Sequence, residues 1–147
     1  MKQLLFLAII GCLLLGSAAW AQPTAGKGTL LVKISGLKNT DGQLRVYLFN
    51  SKDGFPSKPA KALTVRKEKP TGLEHVMSFS DLPFGTYAIA VHHDVNGNDK
   101  IAHNWLHFPK EPYGASNGAR SAFGPPSFER AKFDFKADSQ MVEVKVK

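Results

Sequence analysis

Hydrophobic and polar positions alternate with a period of two through much of residues 22–147, and no stretch of a dozen residues carries an apolar stripe of helical spacing. A first strand is predicted around 30–34 and a second around 44–48, each with every other residue apolar. The turn-forming residues 39–42, Asn-Thr-Asp-Gly, lie between them. This arrangement predicts that the first two strands form a hairpin.

Further strands are predicted near 63–66, 76–79, 86–93, 131–135 and 142–146, with turn residues between them. The segment 86–93 alternates most clearly. About seven short strands in a chain of this length predict an all-β fold, a single antiparallel β-sandwich of the immunoglobulin-like or transthyretin-like type.

The alternation stops between Asp94 and Phe128, in a segment rich in glycine, asparagine, proline, histidine and aromatic residues. This composition is unlike that of disordered segments. Long ordered loops on compact domains are uncommon and usually functional. We therefore expect a long ordered loop segment before the last two strands, and we look for the functional site there.

Residues 1–21 have the pattern of a cleavable signal peptide: Lys2, a short apolar run and the small-residue site Ala19-Trp20-Ala21. The sequence therefore predicts a signal peptide at 1–21, one β-sandwich domain at 22–147, and a periplasmic or secreted protein without a membrane span after cleavage. The alternative is lipidation at Cys12, but that residue lies inside the apolar run.

The single cysteine, Cys12, is in the predicted signal peptide, so residues 22–147 cannot form an internal disulfide. The formal net charge of the full chain is +7, and the densest basic stretch lies at 58–69. Such a charge favours anionic partners without specifying one. The expected partner is an unknown envelope ligand or protein, and no nucleic acid is expected.

Oxygen-bearing side chains recur at Asp94, Asn96 and Asn98, the first, third and fifth positions of a calcium-loop pattern. The match is partial, because Asp99 occupies the sixth position, where glycine is expected, and Trp105 occupies the twelfth, where glutamate is expected. The pattern predicts weak calcium binding or, alternatively, a turn in which these side chains bond their own backbone. No other cofactor is predicted.

Two alternatives of different chemistry remain open. A transition-metal site would use the imidazoles of His93, His103 and His107, although no cysteine or well-placed carboxylate completes the shell. A hydrolase would use His93 and Asp94 with the hydroxyl of Ser116, although no nucleophile elbow is present. We therefore expect a protein that is not an enzyme.

Aromatic and polar groups in the long segment could bind a ligand by stacking on a sugar or a peptide, or could instead cover an open end of the sandwich. The candidate ligand-binding residues are Trp105, Tyr113, Ser116 and Asn117. The sequence thus favours a non-enzymatic binding module with an ordered loop surface.

Three motifs in order carry a resemblance to a known family: HDVNGN at 93–98, PKEPYGASN at 109–117 and FGPPSFERA at 123–131. Together with the LPFGTY turn at 82–87, they resemble the bacterial DUF2141 family of exported domains of unknown function. The resemblance covers nearly all of residues 22–147. It implies an envelope or secreted β-sandwich and supplies no reaction.

The chain departs from that family pattern at three positions, with Asp99 and His107 replacing glycines and Ala102 replacing an aspartate. The lost acid at 102 weakens the calcium prediction. The strand at 85–91 also looks like strands of transthyretin-like and carboxypeptidase-regulatory sandwiches, which serve as binding or spacer modules. That likeness favours a binding module over an enzyme, although a fold does not fix a function.

Overall fold

The computed structural model describes residues 26–100 and 110–147, which form a mostly β structure with two sheets. The strands are β1 (Lys27–Ser35), β2 (Gln43–Phe49), β3 (Thr64–Glu68), β4 (His75–Pro83), β5 (Gly85–Asp94), β6 (Tyr113–Ala115), β7 (Phe133–Phe135) and β8 (Ser139–Lys145). One short helix, α1 (Phe128–Ala131), and two 3-10 turns, Pro59–Lys61 and Ser116–Gly118, complete the described elements. No described helix has the length and apolar character needed to cross a membrane.

The small sheet has the order β4-β1-β8. β1 pairs antiparallel with β4 but parallel with β8, where Val32 lies opposite Val142. The prediction of a purely antiparallel fold is therefore wrong for this pair. Alternation within a strand fixes which side chains face the core, but it does not fix the direction of the neighbouring strand.

The large sheet places β2 between β3 and β5, all antiparallel. The other edge of β5 is shared by two short strands: β6 pairs with residues 90–92 and β7 with residues 85–87. Because β6 falls inside the segment predicted to be a loop, the described part of that segment is more regular than expected. Eight strands are present among the described residues, against about seven predicted.

The predicted hairpin of the first two strands is wrong, because β1 and β2 belong to different sheets. Leu37, in the connection between them, is buried in the shared core. The end of β1 is held instead by the residue that follows β8, because the Val146 N–H donates to the Ser35 carbonyl at 2.9 Å. The chain therefore crosses from one sheet to the other at 36–42.

The two sheets share one hydrophobic core, so the arrangement is sandwich-like. The inward-facing alternate residues of both sheets interdigitate there, as the sequence pattern predicts. The buried members are Leu30, Val32, Ile34, Leu37, Leu44, Val46, Leu48, Met77, Phe79, Leu82, Tyr87, Ile89, Val91, Phe135, Val144 and Val146.

The outer face of the large sheet is buried too, which is unusual for a sheet expected to have one solvated face. Tyr47, Phe49 and Ala90 lie under Phe55 and Phe128, and the rings of Phe55 and Phe128 meet edge to face with centroids 5.9 Å apart. The segment 50–63 and the segment leading into α1 therefore cover this face. At its opposite end the outer face carries charged residues instead.

Candidate functional site

The Asp94–Lys100 turn is organised by its own side-chain oxygens. Asp94 is fully buried, and its Oδ1 and Oδ2 accept the N–H groups of Asn98 at 3.2 Å and Asp99 at 2.9 Å. Asn96 Oδ1 accepts the Asn98 N–H at 3.0 Å, and Asn98 Oδ1 accepts the Lys100 N–H at 2.8 Å. These are consecutive side-chain-to-backbone turns, the second of the two arrangements that the sequence allowed.

A buried ion pair lies beneath this turn. Arg45 is on the outer face of β2, and its Nη2 is 3.2 Å from Asp94 Oδ2, with 5% and 0% of the two side chains exposed. Arg45 also contacts Asp99, and Asp99 is bonded by Lys67 Nζ at 2.9 Å. The cluster joins β2, β3, β5 and the turn through charges that compensate one another.

His92 and Glu111 extend the cluster towards β6. His92 Nε2 is 3.0 Å from Glu111 Oε2, without hydrogen-bond geometry, and Glu111 Oε1 accepts the Val95 N–H at 3.1 Å. Burial lowers the pKa of His92 below its usual value, as does Arg45 to a smaller extent, while Glu111 and Asp94 act in the opposite direction. Burial therefore favours the neutral imidazole of His92. Through its bond with the Val95 N–H, Glu111 attaches the chain before β6 to the end of β5.

The predicted calcium ligands Asp94, Asn96 and Asn98 do lie together in one turn. Within residues 26–100 and 110–147, no group of three or more histidine, cysteine, aspartate or glutamate side chains is arranged to hold a metal ion. The Asp94 carboxylate faces Arg45, and the side-chain oxygens of Asn96 and Asn98 already accept backbone hydrogens. Calcium binding here stays a prediction.

The transition-metal alternative rests partly on His103 and His107, which lie outside the described residues. His93, the third proposed ligand, is buried, and its Nε2 lies 2.8 Å from the Asp41 carbonyl. That contact joins β5 to the connection that precedes β2.

The hydrolase trio is not brought together. His93 and Asp94 are adjacent in β5 and so face opposite sides of the sheet. The Ser116 hydroxyl accepts the N–H of Ile89. Ile89 precedes His93 by four residues on β5, so Ser116 is bonded at a point roughly 13 Å along the strand from His93. Nothing in this arrangement gives the serine a base.

Ser116 and Asn117 instead hold the 3-10 turn against α1 and β5. The buried Ser116 hydroxyl donates to the Ala131 carbonyl at 2.6 Å, and Asn117 Nδ2 donates to the Lys132 carbonyl at 2.7 Å. Asn117 has a φ of 57°, a left-handed conformation that asparagine tolerates. Of the other predicted ligand-binding residues, Tyr113 begins β6 opposite His92, and Trp105 lies outside the described residues.

This turn forms one wall of a groove of about 560 Å³ between the two sheets. The residues that line the groove come from this turn and β7 on one side and from β8 on the other. They are Asn117, Gly118, Phe133, Gln140, Met141, Val142, Glu143 and Lys145. Phe133 and Val142 are half-buried against the shared core, so the groove has an apolar floor and polar margins.

The groove runs along an edge of β8 that is open in the part of the chain that the structure describes. β8 pairs with β1 on one side, and its far end is covered on the other by β6, where Tyr113 and Lys147 exchange backbone hydrogen bonds of 3.1 and 3.3 Å. Gly114 permits this approach, since a Cβ there would lie 2.5 Å from the Lys145 carbonyl oxygen. Before Val144, no described strand pairs with this edge.

Sequence reasoning missed Arg45, Glu111 and the β8 side of the groove. Arg45 and Glu111 are separated from Asp94 by 49 and 17 positions, so no local motif connects them. One signal was available for Arg45: it is a charged residue at an alternate position of an otherwise apolar strand. Of the three predicted ligand-binding residues that the structure describes, Asn117 alone lines the groove.

The chain matches a known protein family. A family model described as an uncharacterized protein conserved in bacteria (DUF2141) matches residues 32–143. No curated protein and no solved structure matches the chain significantly.

Proposed function

The chain belongs to the DUF2141 family of uncharacterised bacterial proteins, and we propose that it is an exported, non-catalytic binding module whose ligand lies in the groove between β7 and β8. The observation that carries this proposal is the groove itself, which combines an apolar floor with a strand edge that is unpaired among residues 26–100 and 110–147. Its volume falls within the range of known ligand sites, about 300–1,000 Å³.

The strand edge suggests the ligand class. An edge strand directs alternate N–H and C=O groups outwards, and these form a template for another extended chain. The residues lining the groove from 140 to 143 are consecutive, so the groove follows the backbone of β8. An extended polypeptide segment would bond to this edge and place alternate side chains over Val142 and Phe133.

The groove carries its charged side chains at its margin, where they suit contacts with a bound polypeptide. Its ionisable members, Glu143 and Lys145, lie on the exposed side of β8, and Glu143 Oε1 accepts a hydrogen bond from the Ser35 hydroxyl at 2.8 Å. The Lys145 ammonium can therefore contact a carbonyl or carboxylate group of the bound segment.

A peptide titration tests the proposal. A hexapeptide library would be screened against isotopically labelled domain, and the strongest binder compared with its analogue N-methylated at alternate residues. We expect amide shifts at Gly118 and 140–143, and a loss of affinity of about tenfold or more in the analogue, because each hydrogen bond contributes about 1 kcal/mol.

Lys145→Ala should weaken peptide binding, whereas Lys38→Ala, at an exposed position away from the groove, should not. Equal affinity of the methylated and parent peptides would refute pairing with the edge. Shifts confined to the Asp94–Lys100 turn would place the site elsewhere, and a response to envelope oligosaccharides alone would exclude a polypeptide ligand.

Export is a separate part of the proposal, supported by the leader-like pattern of residues 1–21. We expect the mature protein in the cell envelope to begin at Gln22. Intact mass spectrometry tests this, and a lipidated species beginning at Cys12 would contradict it. The assignment of the scaffold as an immunoglobulin-like or transthyretin-like sandwich stays a prediction, which an experimental structure would test.

A further inference from the structure

The outer face of the large sheet, away from the groove, carries an exposed surface that combines aliphatic or aromatic side chains with lysines. Leu63 and Val65 are 49% and 38% exposed, and Phe123 is 98% exposed. Leu63 leads into β3 through its N–H bond to the Leu48 carbonyl, and Val65 lies in β3 opposite Tyr47. Phe123 lies in the segment between the Ser116–Gly118 turn and α1.

These side chains belong to one side of the molecule. Ala62 and Phe55 pack on Tyr47 and Phe49 from the outer side of the sheet, and Phe128 packs beside them. Ala119 belongs to a neighbouring cluster against which Phe55 and Phe128 also pack, so the segment before β3 and the segment from Ala119 to α1 lie over the same face. An exposed phenylalanine on the segment that covers this face, together with the exposed Leu63 and Val65, is an unusual feature for the surface of a soluble domain.

The same face is strongly basic. Between Lys52 and Lys69 the chain has six basic and two acidic residues, of which Arg66 and Glu68 point away from this face, towards β4. One of those acids, Asp53, pairs with Lys61, and Asp99 pairs with Lys67. Lys58, Lys69 and Arg120 are exposed and have no acidic partner among the described residues. The face thus presents positive charges that no described acidic side chain neutralises.

We propose that this basic-apolar face, defined by Lys58, Lys69, Leu63, Val65 and Phe123, docks on the surface of an anionic phospholipid bilayer. Lysines near such a surface are attracted to its phosphate groups, and exposed apolar side chains enter the interfacial layer. An acidic protein or a nucleic acid would use the charge but gives no role to the exposed Leu63 and Phe123.

Vesicle flotation tests the proposal with the mature domain and two probes, phosphatidylcholine vesicles and the same vesicles containing phosphatidylglycerol. We expect binding to the anionic vesicles, weakening as salt rises. Lys58→Glu with Lys69→Glu should reduce the partition coefficient about thirtyfold or more. Lys27→Glu with Lys38→Glu changes the net charge equally at exposed positions elsewhere, and should leave most of the binding intact.

The apolar part is tested separately. Phe123→Ser should weaken binding about tenfold, whereas Val76→Ser, at a position 49% exposed on the small sheet, should change little. Phe123→Trp should show a blue shift on anionic vesicles beyond the response of the wild-type Trp105, and Val76→Trp should not.

Three outcomes of these experiments would overturn the proposal. Equal losses in the two charge variants would mean that binding depends on net charge alone. Unchanged binding of Phe123→Ser together with Leu63→Ser would remove the interfacial contact. Preference for a nucleic acid or heparin over anionic vesicles at matched charge would assign the face to a different partner.

Discussion

Arg45 and Asp94 form a buried ion pair between adjacent strands, with Nη2 and Oδ2 3.2 Å apart. Asp94 has further support from the N–H groups of Asn98 and Asp99. A buried pair of this kind contributes little compared with an apolar replacement of both partners, but leaving one charge alone is costly. The pair therefore determines how firmly the Asp94–Lys100 turn is attached to the sheet.

Removing one partner of the Arg45–Asp94 pair should show how much an unpaired buried charge destabilises the fold. Arg45→Met leaves the Asp94 carboxylate buried and unpaired, and we expect the free energy of unfolding to fall by about 3–5 kcal/mol. Urea denaturation measures the change. The matched control is Lys61→Met, which removes the exposed pair with Asp53 and should cost less than about 1 kcal/mol. Equal effects of the two substitutions would contradict the buried-pair interpretation.

The lowered pKa of His92 predicts a pH dependence. In the unfolded chain this histidine binds a proton near its usual pKa, about 6.5, whereas burial disfavours the proton in the folded state. The unfolded state therefore binds more protons as pH falls below about 6.5, and the domain loses stability until the lower folded-state pKa is passed.

We expect His92→Gln to reduce this loss between pH 7.5 and 5.5, measured by urea denaturation at each pH. His75→Gln serves as the comparison, because His75 is buried elsewhere, between Glu68 and Thr71. The prediction fails if wild type and His92→Gln lose the same stability over this interval.

Ser116 should matter for stability and not for chemistry. Ser116→Ala leaves the Ile89 N–H and the Ala131 carbonyl without their hydroxyl partner inside the protein. We expect a loss of about 1–3 kcal/mol in the free energy of unfolding. Ser80→Ala, on the exposed side of β4, should change it by less than about 0.5 kcal/mol. A fully stable Ser116→Ala would show that the turn is held by other contacts.

The calcium prediction has a direct test in thermal melting. If Asp94, Asn96 and Asn98 bind calcium, a concentration of ten times the dissociation constant should stabilise the fold by about 1.4 kcal/mol. The effect should disappear in Asn98→Ala, and Asn39→Ala provides an unrelated turn as control. Identical melting curves in calcium and in chelator would end the hypothesis.

Sequence patterns predicted the local part of this fold well. The alternation of Val32, Val46 and Ile89 identified inward-facing residues that do reach the core. It could not identify partners, since the pairing of Val32 with Val142 joins residues 110 positions apart. The Asn39–Gly42 signal lies in the connection between β1 and β2, but a turn signal does not specify whether the next strand returns to the same sheet.

In the candidate sites, too, the sequence predicted the local structure but not the contacts between distant segments. The spacing of Asp94, Asn96 and Asn98 predicted a compact polar turn, because such side chains bond nearby backbone groups. The attachment of that turn to Arg45 and the facing of Asn117 towards β8 depend on packing between distant segments. Interactions of this type leave no periodic trace in the sequence.

The parallel contact between β1 and β8 has a consequence for how the domain folds. Its members come from opposite ends of the described chain, so closing the small sheet requires an encounter between very distant segments. Such high contact order slows folding, and β1 keeps an unpaired flank until β8 arrives. Folding therefore cannot finish on a ribosome that has not yet released β8. Loss of 139–145 should leave a chain prone to aggregation and poorly able to reach the native state.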